Sequence, residues 1–212
     1  MQKLKKKICI IDYSLGNIFS IQNALNYLGF DSYVSKEKYK ILQADGIILP
    51  GVGSFNYAMK QISASGLNET LLEYNLLNKP FLGTCLGMQL LFETSDEFNK
   101  TDGLGILKGK VIKLPRQKNL SLNMNWSKIK LNEKNNFKKK ANVDLFNDNF
   151  FYFIHSFHVS CDEDLVHSTS FFGNHEFISS ISYKNIFGTQ FHLEKSGQAG
   201  LNVLKQFFQQ DV

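Results

Sequence analysis

The sequence predicts an α/β fold with a mainly parallel central sheet, helices on both faces and antiparallel strands added in the second half. Up to about residue 100, short apolar runs alternate with segments whose apolar residues recur at helical spacing, the pattern of βαβ crossovers. Beyond Gly103 the helical period fades and β-rich runs follow one another until a closing helix. Between the two textures lies Phe81-Leu82-Gly83-Thr84-Cys85-Leu86-Gly87-Met88, an apolar run that meets a helical one across a glycine-flanked cysteine.

Residues 8–12 open the sheet. The lysines before them (Lys3, Lys5, Lys6, Lys7) read as a solvated lead-in, because Asp12 interrupts the apolar core a secretion signal would need and no small-residue cleavage site follows. Residues 16–28 place Ile18, Ile21, Leu25 and Leu28 at helical spacing, closed by Gly29. Residues 31–35 form a second strand. Residues 46–49 form a third, apolar enough to be covered on both faces. Residues 59–77 are helical with an interruption at Gly66, residues 81–84 are the fourth strand, and Met88-Gln89-Leu90-Leu91-Phe92 continues as helix. The later β-rich runs are 111–114, 126–131, 150–159, 167–172, 178–183 and 186–191, and residues 200–208 close the chain as a helix. Only three prolines occur and no repeat or low-complexity tract, so residues 1–212 read as one domain.

Hydrophobic residues at 43% and charged residues at 20% describe a soluble globule, and no run approaches the roughly 20 apolar residues of a membrane span. Three widely separated cysteines imply no disulfide framework and fit a reducing cytoplasm. The net charge of +5 gathers between Lys108 and Lys140, ending in Lys138-Lys139-Lys140. An anionic partner is one reading and a solvated hairpin the other; without interleaved aromatics, no nucleic-acid partner is expected. His155, His158 and Cys161 are spaced by three, but on a strand alternate members point to opposite faces, so no metal site is expected. His167 and His175 read as surface residues, and Phe150-Phe151-Tyr152-Phe153 as core.

The chemistry starts at Cys85. Glycines on either side let the backbone turn sharply enough to push a side chain out of the sheet, and the helix that follows favours thiolate through its dipole. A packed, inert cysteine is the plain alternative. A nucleophile needs a base, and the base an orienter. In Phe191-His192-Leu193-Glu194, read as extended, His192 and Glu194 share a side with backbones about 6.5 Å apart, so Glu194 can hold one ring nitrogen while the other faces Cys85. The loop Pro50-Gly51-Val52-Gly53-Ser54 follows the third strand, so it shares the sheet edge with the elbow. Its N–H groups around Gly51, Val52 and Gly53, with that of Leu86, suit an oxyanion. A phosphate cradle is the competing reading, but the loop lacks a third glycine and a Walker lysine.

In chain order, the glycine loop, Gly-x-Cys-x-Gly and a late His-x-Glu together resemble the class I glutamine amidotransferases. Over nearly the full length the chain is similar to the glutaminase subunits of imidazole glycerol phosphate synthases. That likeness is carried by Ile11-Asp12-Tyr13-Ser14-Leu15-Gly16-Asn17, Pro50-Gly51-Val52-Gly53-Ser54-Phe55, Cys85-Leu86-Gly87-Met88-Gln89-Leu90-Leu91-Phe92, Phe151-Tyr152-Phe153-Ile154-His155-Ser156-Phe157 and Gly188-Thr189-Gln190-Phe191-His192-Leu193-Glu194-Lys195. The resemblance implies a flavodoxin-like amidotransferase fold and no cofactor. It implies that Cys85 attacks the side-chain amide of glutamine, that His192 moves the protons and that Glu194 orients it. Gln89 and Glu97 would hold the polar ends of glutamine, and the backbone at His155, Ser156 and Phe157 its amino-acid end. It further implies a heterodimer with a (β/α)₈ cyclase subunit of histidine biosynthesis, which takes the ammonia to make imidazole glycerol phosphate and 5-aminoimidazole-4-carboxamide ribonucleotide. The Gly51–Gly53 loop would often have to reorient before it serves the oxyanion.

Three departures stand out. Ser121-Leu122-Asn123-Met124-Asn125-Trp126-Ser127 replaces the family's Pro-His-Met-Gly-Trp-Asn near the synthase interface, Leu193 replaces a proline, and Thr84 precedes the cysteine. The first keeps open a paralogous subunit that supplies ammonia to a surface-polysaccharide sugar. A stand-alone cysteine hydrolase of the same superfamily is a further reading, in which Gln89 loses its meaning.

Overall fold

The computed structural model of the protein describes residues 5–117, 120–132, 145–146 and 148–209. The lysine run at 138–140 lies outside them. Four parallel strands come first: β1 (Lys7–Ile11), β2 (Asp31–Ser35), β3 (Gly46–Leu49) and β4 (Phe81–Thr84). They are connected through α1 (Ile18–Tyr27), α2 (Lys38–Gln43), α3 (Phe55–Ala64) and α4 (Leu67–Leu76). Gly29 and Gly66 stand just past α1 and just before α4 with φ of +83° and +67°, the left-handed turns that end one direction and begin the next.

A short helix α5 (Leu86–Gln89) follows β4, then β5 (Phe92–Ser95), β6 (Thr101–Asp102), β7 (Leu107–Lys113), β8 (Asn123–Lys128) and β9 (Lys130–Leu131). The chain continues through β10 (Phe150–His155), β11 (Phe157–Ser160), β12 (Val166–Phe172), β13 (His175–Tyr183) and β14 (Ile186–Thr189) to α6 (Gly197–Gln209). Among the described residues the main sheet runs β2-β1-β3-β4-β14-β13-β12-β9. It is parallel from β2 to β14 and antiparallel from β14 to β9. A four-stranded sheet, β11-β7-β5-β6, and a two-stranded ribbon, β10-β8, complete the β structure.

Alternation along the central strands divides the core. Ile8, Ile10, Ile48, Leu82 and Phe187 pack on one face beneath α6, whereas Cys9, Ile11, Ile47, Leu49 and Phe81 pack on the other with Tyr74 and Phe55. Covering both faces explains why these strands read as continuous apolar runs. Val203, Leu204, Phe207 and Phe208 recur at helical spacing on α6 and are buried. Each such side chain contributes roughly 1.5–3 kcal/mol on burial. The register that places the site is β14 against β4, with Thr189 beside Thr84. Cys85 and Gln190 therefore leave the sheet side by side.

Several sequence expectations are corrected. The helix after Cys85 stops at Gln89, and Phe92 instead opens β5, where it pairs with Leu107. The helix expected from residue 59 starts at Phe55, and α2 has too few apolar positions to show a period. The run 126–131 divides at Ile129 between two sheets, and the run 150–159 breaks at Ser156, with β10 pairing β8 and β11 pairing β7. That break changes the histidine geometry. His155 and His158 both pack against Phe177 instead of facing opposite ways, and no group of three metal-binding side chains forms among the described residues. His167 is buried, with its Nδ1 on the Ser180 hydroxyl, and His175 is half-buried against His158, so neither is a simple surface residue.

Candidate active site

Cys85 sits on the turn between β4 and α5 with φ 53° and ψ −113°, a conformation that L side chains rarely adopt. Packing around the turn demands its glycines. A Cβ on Gly87 would stand 1.8 Å from the Leu49 carbonyl oxygen, and one on Gly83 would stand 2.9 Å from the Gly87 carbonyl oxygen. The Cys85 N–H donates to the Thr189 carbonyl at 2.6 Å, tying the elbow to β14. Because α5 is only four residues long, it carries little of the dipole expected from the sequence. The ionisable group beside the thiol is the His192 ring.

His192 is not on an extended strand. A 3₁₀ turn, Leu193–Lys195, begins directly after it, and its N–H donates to the Tyr152 carbonyl at 3.0 Å. The turn still brings His192 Nδ1 to 2.9 Å from Glu194 Oε1, with both side chains almost fully buried. Asn17 Nδ2 donates to the same carboxylate oxygen at 3.2 Å. Nδ1 therefore carries its proton toward the carboxylate. Among the described residues Nε2 has no nitrogen or oxygen partner and is left to the Cys85 thiol. Burial disfavours the charged ring, yet the hydrogen bonds to Cys85 and Glu194 outweigh it and raise the His192 pKa to about 10. Burial likewise opposes ionisation of Glu194, but its hydrogen bond to His192 holds the carboxyl below its ordinary value.

These groups open into a cavity of about 310 Å³. Val52, Gly53, Leu86, Gln89, Glu97, His155, Ser156 and Phe157 line it with Cys85 and His192. Glu194 and Gly51 stand one layer behind. A Cβ on Gly51 would meet the Tyr13 hydroxyl at 2.6 Å, and that hydroxyl donates to the Pro50 carbonyl at 2.5 Å. Gly53 adopts φ +104°, which few other residues tolerate. Glu97 Oε2 accepts the Phe55 N–H at 2.6 Å and so anchors the far end of the loop. Gln89 Nε2 donates to the Phe157 carbonyl and to Gln190 Oε1, each at 2.9 Å. His155 is buried between Asn123 and the Phe157 carbonyl, and burial pushes its pKa down to about 3, so it remains a neutral strut.

The sequence reading passed over five residues here. Asn17 and Gln190 contact the site directly, while Leu122, Ile154 and Lys195 line the cavity. A signal for Gln190 was present: a polar amide within the apolar run Ile186 to Phe191 must find buried partners.

The family model for class I glutamine amidotransferases matches residues 9–210. The chain belongs to this family. As a glutamine amidotransferase it is 42% identical over 201 residues to a protein of Listeria monocytogenes named imidazole glycerol phosphate synthase subunit HisH, with 94% of each chain covered. It is 38% identical to the like-named protein of Sulfurimonas denitrificans, covering 94% of this chain and 96% of that one. Among solved structures, PurLQS from Thermotoga maritima aligns with a TM-score of 0.72 at 19% identity, covering 97% of this amidotransferase and 99% of that chain. A GMP synthase protein from Thermoplasma acidophilum aligns with a TM-score of 0.69 at 16% identity, covering 98% and 94%. These likenesses establish the amidotransferase fold.

Proposed function

We propose that this chain is the glutaminase subunit of an imidazole glycerol phosphate synthase, acting in the cytoplasm as one domain over residues 1–212. The observation that carries the chemistry is the buried line Asn17–Glu194–His192 ending at the Cys85 thiol on the cavity wall. His192 Nε2 takes the thiol proton, and the sulfur attacks the carboxamide carbon of glutamine. The oxyanion that forms is held by N–H groups of the Gly51–Gly53 loop and of Leu86. His192 returns its proton to the nitrogen, the C–N bond breaks and ammonia leaves a γ-glutamyl thioester. Water, deprotonated by His192, then releases glutamate and restores the thiol. Gln89, Glu97 and the segment His155–Phe157 grip the rest of the glutamine.

The pathway reading rests on relatives near 40% identity over almost the whole chain. A (β/α)₈ cyclase subunit receives the ammonia in a heterodimer. An exposed apolar face supports a partner beside the cavity: Met124, Trp126 and Phe150 lie exposed on the β8–β10 ribbon, whose Ile154 reaches the cavity wall. A diazo-ketone mimic of glutamine is expected to add once, at Cys85, by mass spectrometry; no adduct under any condition rules out glutamine chemistry. Addition of the cyclase subunit with its ribonucleotide ligand is expected to raise glutaminase turnover strongly. Stimulation only by a sugar-modifying partner moves the assignment to the polysaccharide branch that the altered segment 121–127 keeps open, and full turnover without any partner moves it to a stand-alone hydrolase.

A further inference from the structure

Resting on the proposed thiol chemistry, we infer that Gln190 is a further catalytic residue, whose side-chain amide donates to the Cys85 sulfur and holds its negative charge. Gln190 Nε2 lies 3.6 Å from Cys85 Sγ, and the Gln190 residue is completely buried. The direction of the amide is not free. Its Oε1 accepts Gln89 Nε2 at 2.9 Å, which leaves only the NH₂ to face the sulfur. Gln89 is fixed in turn, since its Nε2 also donates to the Phe157 carbonyl at 2.9 Å, and the same carbonyl receives His155 Nδ1 at 2.9 Å. His155 then accepts from Asn123 Nδ2 through Nε2 at 3.0 Å. A hydrogen-bond network thus runs from β8 through the cavity wall to Cys85, with the Phe157 carbonyl accepting from both His155 and Gln89.

The other neighbour of the sulfur has the opposite character. Cys85 Sγ lies 3.9 Å from the Ile154 carbonyl oxygen, an acceptor that suits a neutral S–H and repels a thiolate. Gln190 offsets this. A donor aimed at sulfur in a water-poor site favours the thiolate before attack. It acts again when the thioester breaks, because the C–S bond electrons return to sulfur while His192 carries the proton. No bond to Gln190 forms or breaks. Its backbone supports the same placement: the Gln190 N–H donates to the Ser179 carbonyl at 2.8 Å, and Thr189, just before it, receives the Cys85 N–H.

The test is the pH dependence of Cys85 alkylation by iodoacetamide in the full chain, which requires no glutamine. Gln190→Met keeps the length and removes the donor. Gln190→Glu keeps an acceptor for Gln89 and aims an oxygen at sulfur. The half-maximal pH of alkylation is expected to rise by about one unit in Q190M and further in Q190E, since removing a donor disfavours the charged form. Glutaminase kcat is expected to fall about tenfold in both. Unshifted alkylation in folded Q190M and Q190E, whatever their kcat, overturns the assignment. Should Q190M fail to fold, Q190E alone decides. Wild-type protein that alkylates with a midpoint sensitive to Gln190 but never releases glutamate separates failure of the glutaminase reading from failure of this one.

Discussion

Glu194 reaches His192 from two residues along the chain, and Asn17 steadies it from the opposite end of the sequence. The carboxylate serves geometry and charge together, because it fixes which ring nitrogen carries the proton and sustains the positive ring in a buried site. Glu194→Gln retains shape and loses charge, and its effect on stability depends on pH. The His192 pKa is raised from 6.5 to about 10 in the fold. Its contribution is therefore complete below about pH 6.5 and disappears as pH rises toward 10. The Glu194 contribution runs the other way and is lost as pH falls below its unfolded value of 4.5. The loss in Tm for E194Q is thus expected to be largest near pH 5–6.5 and to shrink toward pH 10, as read by thermal melts. A deficit that stays constant across that range would mean that shape, not charge, is what Glu194 provides. The residues themselves were legible in the sequence because Cys85 and His192 carry chemistry in their identity. Asn17 was not, since amides serve equally well as caps, turns and surface, and Gln190 showed in the sequence only that it needs buried partners, while tertiary placement decides that Cys85 is one of them.

At the scale of elements, the elbow works because β4 ends where α5 must pass close to the strand beside it. Gly87 therefore has no substitute. Alanine there drives a methyl to within 1.8 Å of the Leu49 carbonyl oxygen, so β3 and β4 must separate or the turn must open. Gly87→Ala is expected to lose at least about 3 kcal/mol in chemical denaturation, at the upper end of overpacking costs. A midpoint within error of wild type would show that the turn relaxes freely. Most strands were legible from composition because burial on both faces leaves uniform apolar runs such as Gly46-Ile47-Ile48-Leu49. Boundaries failed where tertiary pairing overrode local pattern. Phe92 is helical by spacing but is captured by Leu107 across the smaller sheet, and residues 150–159 look like one strand although Ser156 marks a change of partner. That change curls the segment so that the Phe157 carbonyl turns inward to receive both Gln89 and His155.

Across the whole molecule, the described residues form a central sheet with a packed layer on each face and the cavity at the edge where β3, β4 and β14 end. The molecule also stores acid sensitivity. Burial, aided for His158 by neighbouring His175, lowers the pKa of His155 to about 3 and of His158 to about 4. The unfolded chain takes up protons at both positions below about pH 6.5, whereas the fold does not, so stability falls as pH drops from 6.5 toward 4. The His158 ring packs edge-on against Phe177 and His175, which makes His158→Phe a tolerable exchange. The decline of Tm between pH 6.5 and 4.5 is expected to be shallower in H158F than in wild type; an identical slope would assign the acid sensitivity elsewhere.

The tether between the Cys85 N–H and the Thr189 carbonyl has one more consequence. Cys85 follows β4 directly and His192 lies shortly beyond β14, so the tether fixes the spacing of the two strand ends from which both side chains leave the sheet. Of the described segments between β4 and β14, those that neither line the cavity nor receive the His192 N–H, as Tyr152 does, can therefore diverge while the site keeps its dimensions. A chain wired in this way can be re-addressed to a new ammonia acceptor by editing the exposed Met124, Trp126 and Phe150 of its ribbon, with the side chains around Cys85 left in place.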